Sequence, residues 1–105
     1  MYGYIAHTKP MSGEVAGSAT AAQLPAALQT PCKRVIIRAR SDNGASLVFI
    51  GFTSGVTVAD GTSDATTGME LTATGFPLEL DIQHTNQLWY ICSAATADFT
   101  IVILT

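Results

Sequence analysis

Charged side chains are scarce in this sequence, and those of positive sign are missing from most of it. Asp, Glu, Lys and Arg make up 12% of the 105 residues, about half the share found in ordinary soluble domains. All five basic residues lie at or before Arg40, where Glu14 is the only acid. The remainder holds seven acids and no Lys or Arg. This polarity predicts a protein that docks against copies of itself or a larger surface.

Long apolar runs are also absent. None approaches the ~18 residues that a membrane-crossing helix needs, and the first residues lack the basic and apolar regions of a secretory signal. We therefore expect no membrane partner and a protein made in a cytoplasm. The two cysteines, Cys32 and Cys92, are expected to be reduced and buried there, although neighbouring strands would allow a disulfide.

Metal-binding patterns are missing. The two histidines, His7 and His84, have no Cys or second His at ligand spacing, so His84 is interpreted as a turn residue. Asp60 and Asp64 bracket a polar loop that lacks the remaining ligands of a calcium loop. We predict no metal ion and no cofactor.

Catalytic patterns are missing too. The chain has no nucleophile elbow and no phosphate-binding loop. Glu79 and Asp81 alternate along a strand, as acids do on a solvent face, and two carboxylates facing across a cleft are not indicated. We predict that the protein is not an enzyme.

The chain divides into an N-terminal arm, residues 1–13, and a single domain, residues 14–105. The arm has no clear periodicity, and Tyr2, Tyr4 and Ile5 make it more apolar than a disordered tail needs to be. We expect these three side chains to pack on a neighbouring chain.

The domain is predicted to be all-β. We expect an edge strand near Thr20–Leu24 and a turn at Pro25–Leu28, because Pro25 would break a longer helix. Apolar residues alternate over Lys33–Arg40, and an Asn-Gly turn separates this segment from the apolar Leu47–Phe52. These two segments are therefore predicted to form a hairpin.

Further short strands are predicted from alternation and turn signals. They cover Met69–Ala73, the segment from Phe76 to Ile82, Leu88–Ser93 and Phe99–Leu104. Six to eight short strands without a long helix predict an antiparallel β-sandwich, jelly-roll-like in its connections.

Three arginines form the sharpest polar feature. Arg34, Arg38 and Arg40 share one face of their strand, opposite Val35, Ile37 and Ala39. They could pair with carboxylates of a neighbouring copy, such as Glu79 and Asp81, or of another protein surface, or form a solvated face. Nucleic acid is disfavoured because the chain is acidic and no aromatic residue interleaves the arginines.

Two adjacent aromatic residues and two strands that are apolar on both faces indicate contacts with other molecules. Trp89 and Tyr90 must face opposite sides of their strand, so one of them is a candidate for an interface or, less well supported, for a sugar platform. Leu47–Phe52 and Phe99–Leu104 are apolar on both faces. A sandwich buries one face of each strand, so we expect sister chains to cover the other.

Several short motifs lie along the chain: Gln23-Leu24-Pro25, the run Pro31–Ala39, Asn43-Gly44, Val48-Phe49-Ile50-Gly51 and Leu88-Trp89-Tyr90-Ile91. Together they resemble the small virion proteins of tailed bacteriophages. The resemblance covers about residues 20–104. Its motifs are structural, and it brings no catalytic residue. The loop over residues 60–67 departs from the pattern by being longer and richer in Thr.

The resemblance implies a structural role in a virion. It implies an all-β capsid decoration (cement) protein that braces neighbouring subunits of the major capsid protein, often as a homotrimer. The alternatives are a head-fibre, tail or baseplate module and, from another class, a carbohydrate-binding module that uses Trp89 or Tyr90. Such a protein would be made in the host cytoplasm and located on the capsid surface.

Overall fold

A computed structural model describes residues 10–59 and 65–105. In this part of the chain seven β-strands form two antiparallel sheets, which confirms the all-β prediction. The strands are β1 (Pro10–Val15), β2 (Arg34–Ala39), β3 (Val48–Gly51), β4 (Met69–Leu71), β5 (Leu78–Leu80), β6 (Trp89–Cys92) and β7 (Phe99–Leu104). Sheet A has the order β1-β7-β2-β5, and sheet B has the order β4-β3-β6.

Side-chain alternation builds the core between the sheets. In β2 the odd-numbered residues Val35, Ile37 and Ala39 are buried, whereas Arg34 and Arg38 are exposed. In β7 the buried residues are likewise odd-numbered, because β2 and β7 pair in register from Arg34↔Leu104 to Ala39↔Phe99. Sheet B contributes residues of β3, β4 and β6 to the same cluster. The core thus follows the period-two pattern of the sequence.

The chain crosses from sheet A to sheet B just after β1. The Cys92 N–H donates to the Ser18 carbonyl, and Ala22 bridges Tyr90, so residues 18–22 lie along the free edge of β6. The segment that crosses between the sheets includes Gly17, where an added Cβ would lie 1.7 Å from the Ala97 carbonyl oxygen. Only glycine allows this approach of two backbones.

The strand order is compatible with a jelly roll. If residues 18–22 are counted as an eighth strand, sheet B gains a fourth member beside β6. Two four-stranded sheets are typical of that fold. The eighth strand is a single bridge, so the jelly roll itself stays a prediction.

The predicted hairpin of Lys33–Arg40 with Leu47–Phe52 is wrong. β2 pairs with β5 and β7, whereas β3 pairs with β4 and β6, so the turn between them passes from one sheet to the other. The Asn43 side chain explains the crossing, because its amide donates to the Asp98 carbonyl and its oxygen accepts from the Asp98 N–H. These bonds tie the turn to the loop before β7 rather than to a partner strand.

Three short 3-10 turns complete the described chain: Ala26–Leu28, Ser41–Asn43 and Thr85–Gln87. The first confirms the turn predicted at Pro25–Leu28, and the strand predicted at Thr20–Leu24 is reduced to the Ala22 bridge. Residues 10–13 of the predicted arm belong to β1, while residues 1–9 lie outside the described residues. No helix within residues 10–59 and 65–105 is long and apolar enough to cross a membrane.

Candidate docking surfaces

Arg34 forms ion pairs within its own chain. Its Nε donates to Asp81 Oδ1 at 2.7 Å, and its Nη1 lies 3.5 Å from Glu79 Oε1. The pairs form because β5 lies beside β2 in sheet A, with Ile36 opposite Glu79. The hydrogen bond from Arg34 lowers the pKa of Asp81. The predicted pairing of Arg34 with the carboxylates of another copy is thus replaced by pairing inside one sheet.

Arg40 lies among three carboxylates of its own chain. Its guanidinium pairs with Glu14 of β1, and its Nε lies 3.4 Å from Asp42 and 3.7 Å from Asp98. These charges, chiefly that of Glu14, raise the pKa of Arg40. Arg40 therefore holds together the turn after β2, the loop before β7 and the edge strand β1. Because these carboxylates offset the positive charge of Arg40, that charge attracts the carboxylates of another protein only weakly.

Arg38 differs from the other two arginines. It is exposed on the outer face of sheet A, near the end of the internal strand β2 and opposite Thr100. Among the described residues no carboxylate forms an ion pair with it. Of the three arginines predicted to share this face, Arg38 is therefore the one whose charge is available to a partner.

Trp89 and Tyr90 face opposite sides of β6, as the sequence predicts. Tyr90 is buried, its hydroxyl donates to the Ala16 carbonyl at 3.0 Å, and its ring meets Phe99 edge-on with centroids 4.9 Å apart. The structure thus places Tyr90 in the core instead of at an interface, because its side chain joins the two sheets. Trp89 is half-buried on the outer face of sheet B, opposite Gly51.

The strands that are apolar on both faces differ in how they are covered. In β3, Phe49 faces away from the core cluster, yet only 1% of it is exposed. Phe49 thus needs no sister chain to cover it, contrary to expectation. In β7, Val102 and Leu104 are half-buried on the outer face of sheet A. The expectation that a sister chain covers an outer strand face therefore remains a prediction for β7.

Exposed apolar side chains gather at an open cleft where β4 begins. The cleft has a volume of about 440 Å³, and its lining includes Ile50, Phe52, Val56 and Met69. Phe52 is 56% exposed and Met69 60% exposed. Met69 pairs with Ile50 at the start of β4, and Phe52 follows Gly51, the last paired residue of β3; by alternation both are on the inward-facing side of sheet B. Phe52 and Met69 thus form an exposed apolar surface in the described part of the chain.

Phe76 is the most exposed large apolar residue described. It lies between Gly75 and Pro77 in the connection from β4 to β5, and 94% of its surface is accessible. A phenylalanine in water loses the free energy that burial would give, so a fully exposed one is unusual unless a partner covers it. Phe76 therefore forms a knob on the surface.

His84 and the two cysteines have structural environments that involve only their own chain. His84 caps the turn Thr85–Gln87, because its Nδ1 accepts from the Asn86 N–H at 3.0 Å, which confirms it as a turn residue. Cys32 is half-buried and Cys92 buried, both are free thiols, and burial raises the pKa of each. Within residues 10–59 and 65–105 no three His, Cys, Asp or Glu side chains cluster as metal ligands would.

Sequence reasoning missed Phe52, Met69 and Phe76 as candidates. A signal existed for Phe76, since an aromatic residue between Gly75 and Pro77 falls in a turn, where burial is hard to arrange. Tyr2, Tyr4, Ile5, His7, Asp60 and Asp64 lie outside the described residues.

Comparison of the chain with protein-family models, with curated proteins and with solved structures found no match. The functional interpretation therefore depends on the residues themselves, on the two-sheet fold and on the surfaces described above.

Proposed function

We propose that this protein is a structural protein of a bacteriophage virion, a capsid decoration protein that braces neighbouring subunits of the major capsid protein. It would be made in the host cytoplasm and act on the capsid surface. The observation that carries the proposal is Phe76, which is 94% exposed on the surface of the two-sheet fold. A protein that acts by docking needs such an anchor outside its core.

The sequence motifs support the same proposal. The segments that resemble small phage virion proteins, from Gln23 to Ile91, fall on structural positions of the fold. Pro31–Ala39 leads into and forms β2, Val48–Gly51 is β3, and Leu88–Ile91 leads into and forms most of β6. Three of the five motifs thus include strand residues of the two sheets, whereas Gln23-Leu24-Pro25 and Asn43-Gly44 lie outside the strands.

The proposed mechanism is mechanical. Each copy would bury apolar surface across a seam of the capsid, so that the shell can come apart only if those contacts break as well. A contact of standard size, about 1,600 Å² in total, suffices for a specific interface without covalent chemistry. Within the described residues, we propose Phe76, Arg38 and the half-buried Val102 and Leu104 as groups that enter such contacts.

The test is to look for the protein in virus particles. Particles from a culture that carries the gene are banded on a density gradient, and their proteins are identified by mass spectrometry. We expect this chain in the band of complete heads, in many copies per particle. Its absence from purified particles, with the protein present in the soluble lysate, would contradict the proposal.

Electron microscopy with a gold-labelled antibody locates the protein on the particle. Label spread over the head agrees with a decoration protein. Label confined to fibres, tail or baseplate would support the alternative virion roles and contradict decoration of the head.

A further inference from the structure

We propose that Asn43 is a site of spontaneous deamidation, that its hydrogen bonds to Asp98 hold the reaction back, and that the product cannot rebuild them. The inference goes beyond the proposed function and does not depend on it, since it concerns the chemistry of one turn. This turn takes the chain from β2 in sheet A to β3 in sheet B.

The residue after Asn43 is the one that favours the reaction. Gly44 is exposed, its φ is 61°, and a Cβ added there would meet nothing within 4 Å. A glycine has no side chain to shield its own backbone nitrogen or to restrict its backbone torsions. The Gly44 nitrogen is therefore an unhindered nucleophile beside a side-chain amide, with room around it for water.

The reaction has two steps, and water is the only co-reactant. The Gly44 nitrogen attacks the side-chain carbon Cγ of Asn43, a C–N bond forms, and the bond from Cγ to Nδ2 breaks. Nδ2 leaves as ammonia with the proton that the Gly44 nitrogen gives up, and a five-membered cyclic imide remains. Water then adds to one of the two imide carbonyls and opens the ring. The product is aspartate or isoaspartate at position 43.

The fold holds both atoms of the amide that the first step must release. Asn43 Nδ2 donates to the Asp98 carbonyl at 2.7 Å, and Asn43 Oδ1 accepts from the Asp98 N–H at 3.0 Å. Attack turns the planar amide carbon into a tetrahedral one and expels Nδ2, which disrupts this paired contact. The hydrogen bonds to the loop before β7 therefore stabilise the unreacted amide.

The backbone of the turn is fixed as well. Asn43 ends the 3-10 turn Ser41–Asn43; its N–H donates to the Arg40 carbonyl at 3.1 Å, and its carbonyl accepts from the Ser46 N–H at 3.0 Å. The five-membered ring needs a torsion between Cα and the carbonyl carbon that differs from that of a 3-10 turn. The turn must therefore open locally before the ring closes, which slows the reaction in the native protein.

The product lacks the donor that the contact with Asp98 needs. A carboxylate only accepts hydrogen bonds. An aspartate at position 43 can accept from the Asp98 N–H with one oxygen, while its other oxygen faces the Asp98 carbonyl without a proton between them. The new charge also joins those of Asp42 and Asp98, which already lie near Arg40. Isoaspartate adds a backbone carbon and lengthens the turn, so either product weakens the crossing between the sheets.

Asn86 is a reference site within the same chain. It is the only other asparagine of the sequence, it is exposed, and Gln87 follows it. The side chain of Gln87 hinders attack by its own nitrogen, and its N–H donates to the His84 carbonyl at 3.1 Å. We expect Asn86 to keep its amide under conditions in which Asn43 loses it.

Peptide mass spectrometry of the incubated, intact chain tests the site and its protection. The purified protein is kept at mildly alkaline pH, with and without enough urea to unfold it, and the deamidated fraction at each asparagine is followed over time. In urea we expect Asn43 to react much faster than Asn86. Without urea we expect the Asn43 rate to fall by about tenfold or more, because hydrogen bonds that stabilise the fold must break first.

Two outcomes of this experiment would contradict the inference. Equal rates at Asn43 with and without urea would overturn the protection by the hydrogen bonds to Asp98. Equal rates at Asn43 and Asn86 in urea would overturn the assignment of Asn43 as the site.

Two variants test the effect of the product on the fold. Asn43→Asp reproduces the product, and Asn86→Asp makes the same chemical change at the reference site. We expect the urea midpoint of Asn43→Asp to lie below that of the wild type, and the midpoint of Asn86→Asp to match it. An Asn43→Asp variant as stable as the wild type would overturn the proposed effect of the product.

Aged wild-type protein gives the same comparison if Asn43→Asp does not fold. Ion exchange separates the chains deamidated at Asn43 by their added negative charge, and mass spectrometry confirms the position. We expect a lower urea midpoint for this fraction than for the unmodified fraction of the same sample. Equal midpoints for the two fractions would contradict the role given to the Asn43 amide.

Discussion

The hydroxyl of Thr85 lies 2.9 Å from the carbonyl oxygen of Leu28, to which it donates, and it accepts a hydrogen bond from the Thr30 N–H at 2.8 Å. Thr85 is fully buried. It joins residues 28–30 to the turn Thr85–Gln87, which precedes β6. The Thr85 N–H also donates to the Thr30 carbonyl, and Pro31 bridges His84, so side-chain and backbone hydrogen bonds together fix this loop.

Replacement of Thr85 by Val should destabilise the protein by about 1–3 kcal/mol, because the Thr30 N–H and the Leu28 carbonyl, both in half-buried residues, lose their partner while the shape is kept. Chemical denaturation measures the change. Thr100→Val, on an exposed position of β7, is the control and should have little effect. Equal stability of both variants would contradict the role given to Thr85.

A methyl group at position 17 should be tolerated poorly. The Cβ of Gly17→Ala would lie 1.7 Å from the Ala97 carbonyl oxygen, which is backbone and cannot move aside without shifting the loop before β7. We expect a loss of about 1–3 kcal/mol or more in unfolding free energy. Gly55→Ala is the matched control, because its Cβ meets nothing nearer than 3.7 Å. A stable Gly17→Ala variant would refute the crossing described between the sheets.

The carboxyl of Asp81 should titrate below its ordinary pKa of 3.8. The hydrogen bond from Arg34 favours the charged form, so the stabilisation is present above the ordinary pKa and is lost as the pH falls through the lowered one. Nuclear magnetic resonance titration of the Asp81 side-chain carbon measures this pKa. Arg34→Gln should return it towards 3.8. A pKa that depends on protein concentration would indicate pairing between copies instead.

The two thiols should react at different rates with a disulfide reagent such as dithionitrobenzoate. Cys32 is half-buried, Cys92 is buried, and desolvation raises the pKa of both, which lowers their thiolate fraction at neutral pH. We expect Cys32 to react slowly and Cys92 only after unfolding. Fast reaction of Cys92 in the native protein would show that β6 is not packed as described.

The sequence predicts the strands better than their pairing. Alternation in Lys33–Arg40 and Phe99–Leu104 identifies buried faces because each strand obeys its own period of two. Pairing depends on where a turn sends the chain, and the Asn43-Gly44 signal reads alike in a hairpin and in a crossing between sheets. The hydrogen bonds between Asn43 and Asp98, 55 positions away, direct the chain to the other sheet. The residues around the turn do not indicate these distant bonds.

Candidate contacts were harder to predict than the core. The spacing of Arg34, Arg38 and Arg40 predicts that they share one face of their strand. Two of them, however, form ion pairs with carboxylates of their own chain. Which arginine remains available depends on the neighbours that the topology supplies. The exposure of Phe52 and Met69 cannot be predicted for the same reason, since by alternation both are on the inward-facing side at the end of sheet B.

The central claim, that this protein braces a capsid by docking, is tested most directly by adding it back to particles that lack it. Heads from a deletion strain are mixed with purified protein, pelleted and heated until they release DNA. We predict saturable binding, a higher release temperature, and a smaller effect for Phe76→Ser than for Thr74→Ser. Absence of binding, or binding without any change in the stability of the heads, would contradict the account.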